Sequence, residues 1–152
     1  MKYSTEIEIN LPRDQMVALL DDPDNMKHWQ KGLISYKLLS GEAGKDGAQM
    51  ELEYHMGRRH LVMVETILKR NFPSEFHATY DAKGVHNIQK NFFEVLGENR
   101  CKWISESEFQ FSSLPLKLMS WLMPGAFKKQ SMAYLTDFKR FAEEGISVAS
   151  SS

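Results

Sequence analysis

Between residues 33 and 112 the chain never runs far without a turn signal. "GEAGKDG", "MGRR", "NFPS", "AKGV" and "LGENR" cut it into short segments that read as strands. Segments joined by connections this tight pair antiparallel, because a parallel neighbour needs a long crossover. After Leu114 the pattern turns helical. Past Pro124, which suits a first helical turn, Phe127, Ser131, Tyr134, Phe138, Phe141 and Ala142 recur at three and four and mark one apolar face. Such a helix must cover the buried face of the sheet. Upstream, "YSTEIEINL" alternates like a half-buried strand. "PRDQMVALLDD" sets Met16, Val17, Leu19 and Leu20 at helical spacing before Pro23, and "PDNMKHWQKG" reads as a second short helix ending near Gly32. The expected class is α+β, in the order strand, two short helices, a series of strands, and one long terminal helix.

Turn lengths carry facing from strand to strand, because opposed residues in an antiparallel pair point the same way. In "QMELEYHM", Met50, Leu52, Tyr54 and Met56 alternate with Gln49, Glu51, Glu53 and His55, so the first set faces in. A two-residue hairpin at Gly57 and Arg58 then opposes Leu52 to Met63 and Met50 to Glu65. A loop at Phe72 and Pro73 opposes Glu65 to Tyr80 and Ile67 to Ala78. A turn at Lys83 and Gly84 opposes Tyr80 to Asn87, Ala78 to Gln89 and Phe76 to Asn91. A three-residue loop from Gly97 to Asn99 opposes Asn91 to Ser105 and Gln89 to Ser107; a two-residue loop at Glu98 and Asn99 would turn Glu106 inward. The alternation of Cys101, Trp103, Ser105, Ser107, Phe109 and Phe111 with charged residues agrees with the longer loop.

The inner face is therefore expected to carry Glu65, Tyr80, Asn87, Gln89, Asn91, Ser105 and Ser107 as a polar band among aromatic and Met side chains. A buried amide without a partner costs about 1–3 kcal/mol, and a buried carboxylate more. Either these groups satisfy one another in a wet core, or sheet and helix enclose a cavity whose polar band orients a ligand. The small Ser105 and Ser107 favour a cavity.

Composition narrows the partners. Nineteen Lys and Arg against twenty Asp and Glu are scattered along the chain, for a net charge of −1, and lack the concentrated positive charge that nucleic acid demands. The lone Cys101 has no disulfide partner in the chain and "MKYSTEIEINLPRD" lacks an apolar signal core, so a cytoplasmic setting is expected. "LPLKLMSWLMPGAF", residues 114–127, is too short and too broken to span a bilayer. It reads either as packing at the mouth of the fold or as a gate that touches a membrane transiently, helped by Lys117, Lys128 and Lys129. His55 and His60 should oppose each other on the outer face; with no third ligand, no metal is expected. Cys101 reads as a small core residue, and Trp29 and Trp103 as packing residues, with Trp103 on the predicted cavity wall.

The order of elements, with "NMKHW" after the first helix, "GEAGKDGAQMELEY" across a strand connection, "MVETI" in a central strand and "KKQSMAYLTDFKRFAEE" as the closing helix, resembles the START-like, birch-pollen-allergen-like superfamily. These proteins, often described as polyketide cyclases, dehydrases and lipid-transport proteins, wrap a curved seven-stranded antiparallel sheet around a long C-terminal helix, the helix-grip fold. The resemblance implies one START-like domain over residues 1–145, with 146–152 a flexible tail. It also implies an internal cavity for a hydrophobic or amphipathic small molecule, and the chain is expected to bind or transport such a molecule or lipid with no obligatory cofactor. Met50, Leu52, Tyr54, Trp103, Phe109 and Phe127 would enclose that molecule and the polar band would hold its oxygenated end. The alternatives are a cofactor-independent enzyme of the cyclase, dehydratase or hydrolase kind, with Glu65 as acid or base and Tyr80 or an amide polarising a carbonyl, and a protein-binding regulator of chaperones. Oligomeric state stays open.

Overall fold

The alternation in the last strand is realised in full. In the computed structural model, which describes residues 1–149, Cys101, Trp103, Ser105 and Ser107 are buried while Glu106 is exposed. This strand, β7 (Arg100–Phe111), lies between β1 (Lys2–Ile9) and β6 (Val85–Gly97) in a seven-stranded antiparallel sheet of order β1-β7-β6-β5-β4-β3-β2. The others are β2 (Leu33–Ser40), β3 (Gln49–Met56), β4 (Arg59–Asn71) and β5 (Glu75–Ala82). Because β1 and β2 form opposite edges, the chain between them must cross the sheet. It does so through α1 (Arg13–Asp21), a short 3-10 turn (Pro23–Asn25) and α2 (Met26–Trp29). α3 (Leu114–Leu122) and α4 (Pro124–Glu144) complete the chain. α4 ends on Gly145, whose φ of 70° lets its N–H reach back to Phe141 O at 2.9 Å.

The expected pairings across β3, β4, β5, β6 and β7 hold: Met50 opposes Glu65, Glu65 opposes Tyr80, Tyr80 opposes Asn87, Gln89 opposes Ser107 and Asn91 opposes Ser105. Two loops are built otherwise than expected. β4 and β5 are joined across Phe72, Pro73 and Ser74, and the extra residue is absorbed by a bulge at Leu68, so Phe76 opposes Arg70. β6 and β7 turn on Glu98 and Asn99 alone. This two-residue turn does not bring Glu106 inside, because a bulge at Leu96 restores the register before Val95 meets Cys101.

The packed core sits at one end of the sheet. Ile9, Met16, Val17, Trp29, Phe93, Cys101, Trp103, Leu135 and Phe138 form it, with Trp103 and Phe138 edge to face at 5.4 Å between ring centres. The opposite end holds the hairpin tips Gly57–Arg58 and Lys83–Gly84, the start of β1, and α3. Here Phe109, Phe111 and Phe127 form a looser aromatic group with centres 5.1–5.7 Å apart. The expected tail keeps contact with α2 through Val148, whose N–H donates to His28 O at 3.0 Å, while His28 Nδ1 meets Ser147 Oγ at 2.8 Å. The expectation for residues 150–152 lies outside the described residues.

Candidate functional site

Between the packed core and the α3 end, the sheet brings its inward polar residues together on adjacent strands. Tyr80 Oη donates to Glu65 Oε2 at 2.8 Å, directly across the β4–β5 pair. One strand over, Gln89 Nε2 donates to Asn87 Oδ1 at 2.9 Å, and Asn87 Nδ2 donates to the backbone oxygen of Glu108 at 3.1 Å. Nearer the core, Trp103 Nε1 donates to Asn91 Oδ1 at 2.9 Å. The band is thus two structures. Asn91 belongs to the packed core, where it answers an indole N–H that would otherwise be orphaned. Asn87, Gln89, Glu65 and Tyr80 line the middle of the concave face.

Burial governs the electrostatics of the second group. It pushes the Glu65 carboxyl above the usual carboxylate range, with the Tyr80 hydroxyl pulling only partly the other way. Tyr80 is raised well above an ordinary phenol by burial and then by the Glu65 charge. Both lie deep among protein atoms, yet both keep intermediate exposure, and Glu65 Oε1 is neither sealed off nor hydrogen-bonded.

The aromatic walls divide in the same way. Leu52 and Tyr54 are buried, and Tyr54 Oη is bonded to Gln30 Oε1 at 2.5 Å, so its hydroxyl ties β3 to the end of α2. Burial raises the Tyr54 phenol far above its usual range. Met50 and Phe109 keep intermediate exposure level with the band, opposite Glu65 and Asn87, and Phe127 keeps it on α4. Trp103 stands within the core cluster. Ser105 and Ser107 are buried, and the room above Ser107 is shared by Tyr3, which opposes it in the ladder. Tyr3 Oη reaches across to Ser131 Oγ at 2.5 Å and Phe127 O at 3.1 Å on α4. In the sequence Tyr3 is only one apolar position of an alternating strand. Ser131 four residues from Phe127 on the helix stripe was the one available hint, since a hydroxyl there invites a partner from the facing sheet.

Elsewhere the chemistry is sparse. His55 and His60 face each other on the outer face at 4.9 Å between rings, and His60 Nε2 contacts Glu53 Oε1 at 2.6 Å. Among the described residues no three His, Cys, Asp or Glu side chains are grouped to hold a metal. Cys101 is fully buried, and burial raises its thiol. A groove of 540 Å³ runs between the β1 edge and α4, lined by Thr5, Lys128, Lys129 and Met132 among others, outside the polar band. None of the described helices is long and apolar enough to cross a membrane.

A curved antiparallel sheet gripping one long helix, with a deep polar band on its concave face, defines a helix-grip domain. The chain belongs to the polyketide cyclase / dehydrase and lipid transport family, which its sequence matches over residues 1–143. No curated protein matches it. Its fold is similar to that of the ZhuI aromatase/cyclase from a Streptomyces species, with 13% identity, 94% of this chain and 93% of that one covered, and a TM-score of 0.77. It is similar also to norcoclaurine synthase from Thalictrum flavum in complex with dopamine and hydroxybenzaldehyde, with 14% identity, 97% and 88% coverage, and a TM-score of 0.68. Ara h 8.0201 is similar at 11% identity, 93% and 97% coverage, and a TM-score of 0.73.

Proposed function

We propose that the protein binds or carries a hydrophobic or amphipathic small molecule between the sheet and α4, with its polar end at Glu65, Tyr80 and Gln89. The observation that carries this reading is the pairing of depth with openness at Glu65, in a chain whose family is described by cyclase and lipid-transport activity. A desolvated carboxyl with one hydrogen bond and no counter-charge costs stability, which supports a use for it in holding a ligand. Extraction of the purified protein and mass spectrometry of what is released tests the proposal. A stoichiometric lipid or aromatic compound is expected, and a ligand-free, densely packed interior would overturn it.

A second reading is favoured by the same pair. A carboxyl whose hold on its proton is strengthened by burial, with a phenol bonded to it, can donate a proton to a carbonyl and recover it, as a cofactor-independent cyclase or dehydratase requires. In that case Glu65→Gln abolishes turnover and leaves ligand binding intact.

Access is assigned to α3. It buries no residue, and Leu114, Trp121, Leu122 and Met123 are each at least 59% exposed. No Asp or Glu occurs from Phe109 to Thr136, which carries Lys117, Lys128 and Lys129, and Arg58, Arg59 and Lys83 sit on the hairpin tips at the same end. An apolar helix ringed by cations suits the surface of an anionic bilayer. Co-sedimentation with phosphatidylglycerol vesicles is expected, weaker with phosphatidylcholine and lost on replacing Trp121 and Leu122 by Ala. Sedimentation unchanged by those substitutions would count against it.

A further inference from the structure

The direction of the hydrogen bonds in the polar band is fixed by groups that cannot be turned round. The Glu108 backbone oxygen only accepts, so Asn87 must give it the NH2 and present Oδ1 to Gln89. Gln89 must then spend its own NH2 on Asn87, which leaves Gln89 Oε1 outward from the pair, unbonded and not sealed off. Beside it, Tyr80 spends its proton on Glu65 Oε2, which leaves Glu65 Oε1 and the lone pairs of Tyr80 Oη. Beside Glu65 the groups left over for a ligand are acceptors, while the unspent donors of the band, Asn91 Nδ2 and the Ser105 and Ser107 hydroxyls, lie nearer the packed core.

Among the described residues, the sheet brings no cation beside Glu65. By register, the inward positions flanking Glu65 are Met63, Ile67, Met50 and Tyr80. The two inward-side arginines lie at opposite ends of β4. Arg59 is at the exposed hairpin tip, six positions or roughly 20 Å from Glu65. Arg70, five positions or roughly 17 Å away, is held by Asp21 in two bonds of 2.6 Å. A ligand carboxylate placed in the band would face Glu65 and the Gln89 carbonyl with nothing to balance it.

We infer that the interior site takes an amphiphile whose polar end donates hydrogen bonds, an amine or hydroxyl compound, and discriminates against fatty carboxylates. This deepens the reading of the cavity as a ligand site and rests on it. An ammonium group would supply the counter-charge that Glu65 lacks, and a hydroxyl would donate its single proton to Gln89 Oε1 or to Glu65 Oε1.

The test is displacement of the neutral fluorescent probe N-phenyl-1-naphthylamine by dodecylamine, dodecanol and dodecanoate, each kept below its micelle-forming concentration. Dodecylamine and dodecanol are expected to displace it at concentrations at least about tenfold lower than dodecanoate. Glu65→Gln is expected to weaken dodecylamine about tenfold and dodecanol by much less, since the alcohol loses at most one neutral hydrogen bond and keeps Gln89 Oε1. Equal displacement by all three compounds, or an amine preference that survives Glu65→Gln, overturns the inference while leaving the ligand site in place. Failure of the probe and of all three compounds to bind overturns both.

Discussion

Replacing Glu65 by Gln isolates one proton. The substitution keeps the shape and an oxygen for Tyr80 to donate to, so packing is conserved, and only the titration is removed. Burial raises the native pKa above the ordinary 4.5, and the native state therefore holds the proton to higher pH than the unfolded chain does. The stability linked to Glu65 is complete below pH 4.5 and is lost as pH rises through the raised native value. Wild type minus variant should then fall by up to about 1.4 kcal/mol per pH unit in that window and level off above it. The total fall divided by the same constant reads out the shift. Glu53, Glu75 and Glu143, whose native values are lowered, act in the opposite sense at acid pH but are present in both proteins and cancel in the difference. Urea unfolding from pH 4 to pH 9, on ligand-free protein, supplies the data. A difference that is flat, or rises with pH, would refute the claim that Glu65 is desolvated without a counter-charge.

Three further results are expected. Trp103→Phe removes the donor to Asn91 Oδ1, a residue only 5% exposed, and should cost about 1–3 kcal/mol in chemical unfolding beyond the lost packing; adding Asn91→Leu should recover part of it. Gly84→Ala places a Cβ 2.8 Å from the Ser113 Cβ at a φ of +78° and should lower Tm more than Gly57→Ala, where the φ is +63° and nothing lies within 4 Å. The vesicle experiment on Trp121 and Leu122 should separate the apolar from the electrostatic part of membrane contact, because added salt weakens only the latter.

Strand facing was readable because alternation is local. Glu51, Glu53, Glu106 and Glu108 each declare an outer face, and hairpin geometry carries that information to strands such as β6, where polarity alone is ambiguous. What the polar residues do once inside was less accessible. Asn91 and Gln89 look alike on the chain, yet one is consumed by Trp103 and the other left with a free oxygen. The difference depends on a tryptophan twelve residues away and on a backbone carbonyl that has no sequence identity. Tyr3 covering Ser107 and Tyr54 reaching Gln30 are likewise contacts between distant segments, and no periodicity encodes them.

The bulges at Leu68 and Leu96 give two strands one residue of slack. Removing Leu96 would leave Gly97 against Arg100 and Val95 against Cys101, the pairs already present, and removing Leu68 would likewise keep Lys69 against His77 and Ile67 against Ala78. Such a deletion irons out a bend but turns no side chain over. Chain length can therefore change by one at these two places without inverting the sheet, and neighbouring loops can shorten by an odd number while the interior keeps its chemistry.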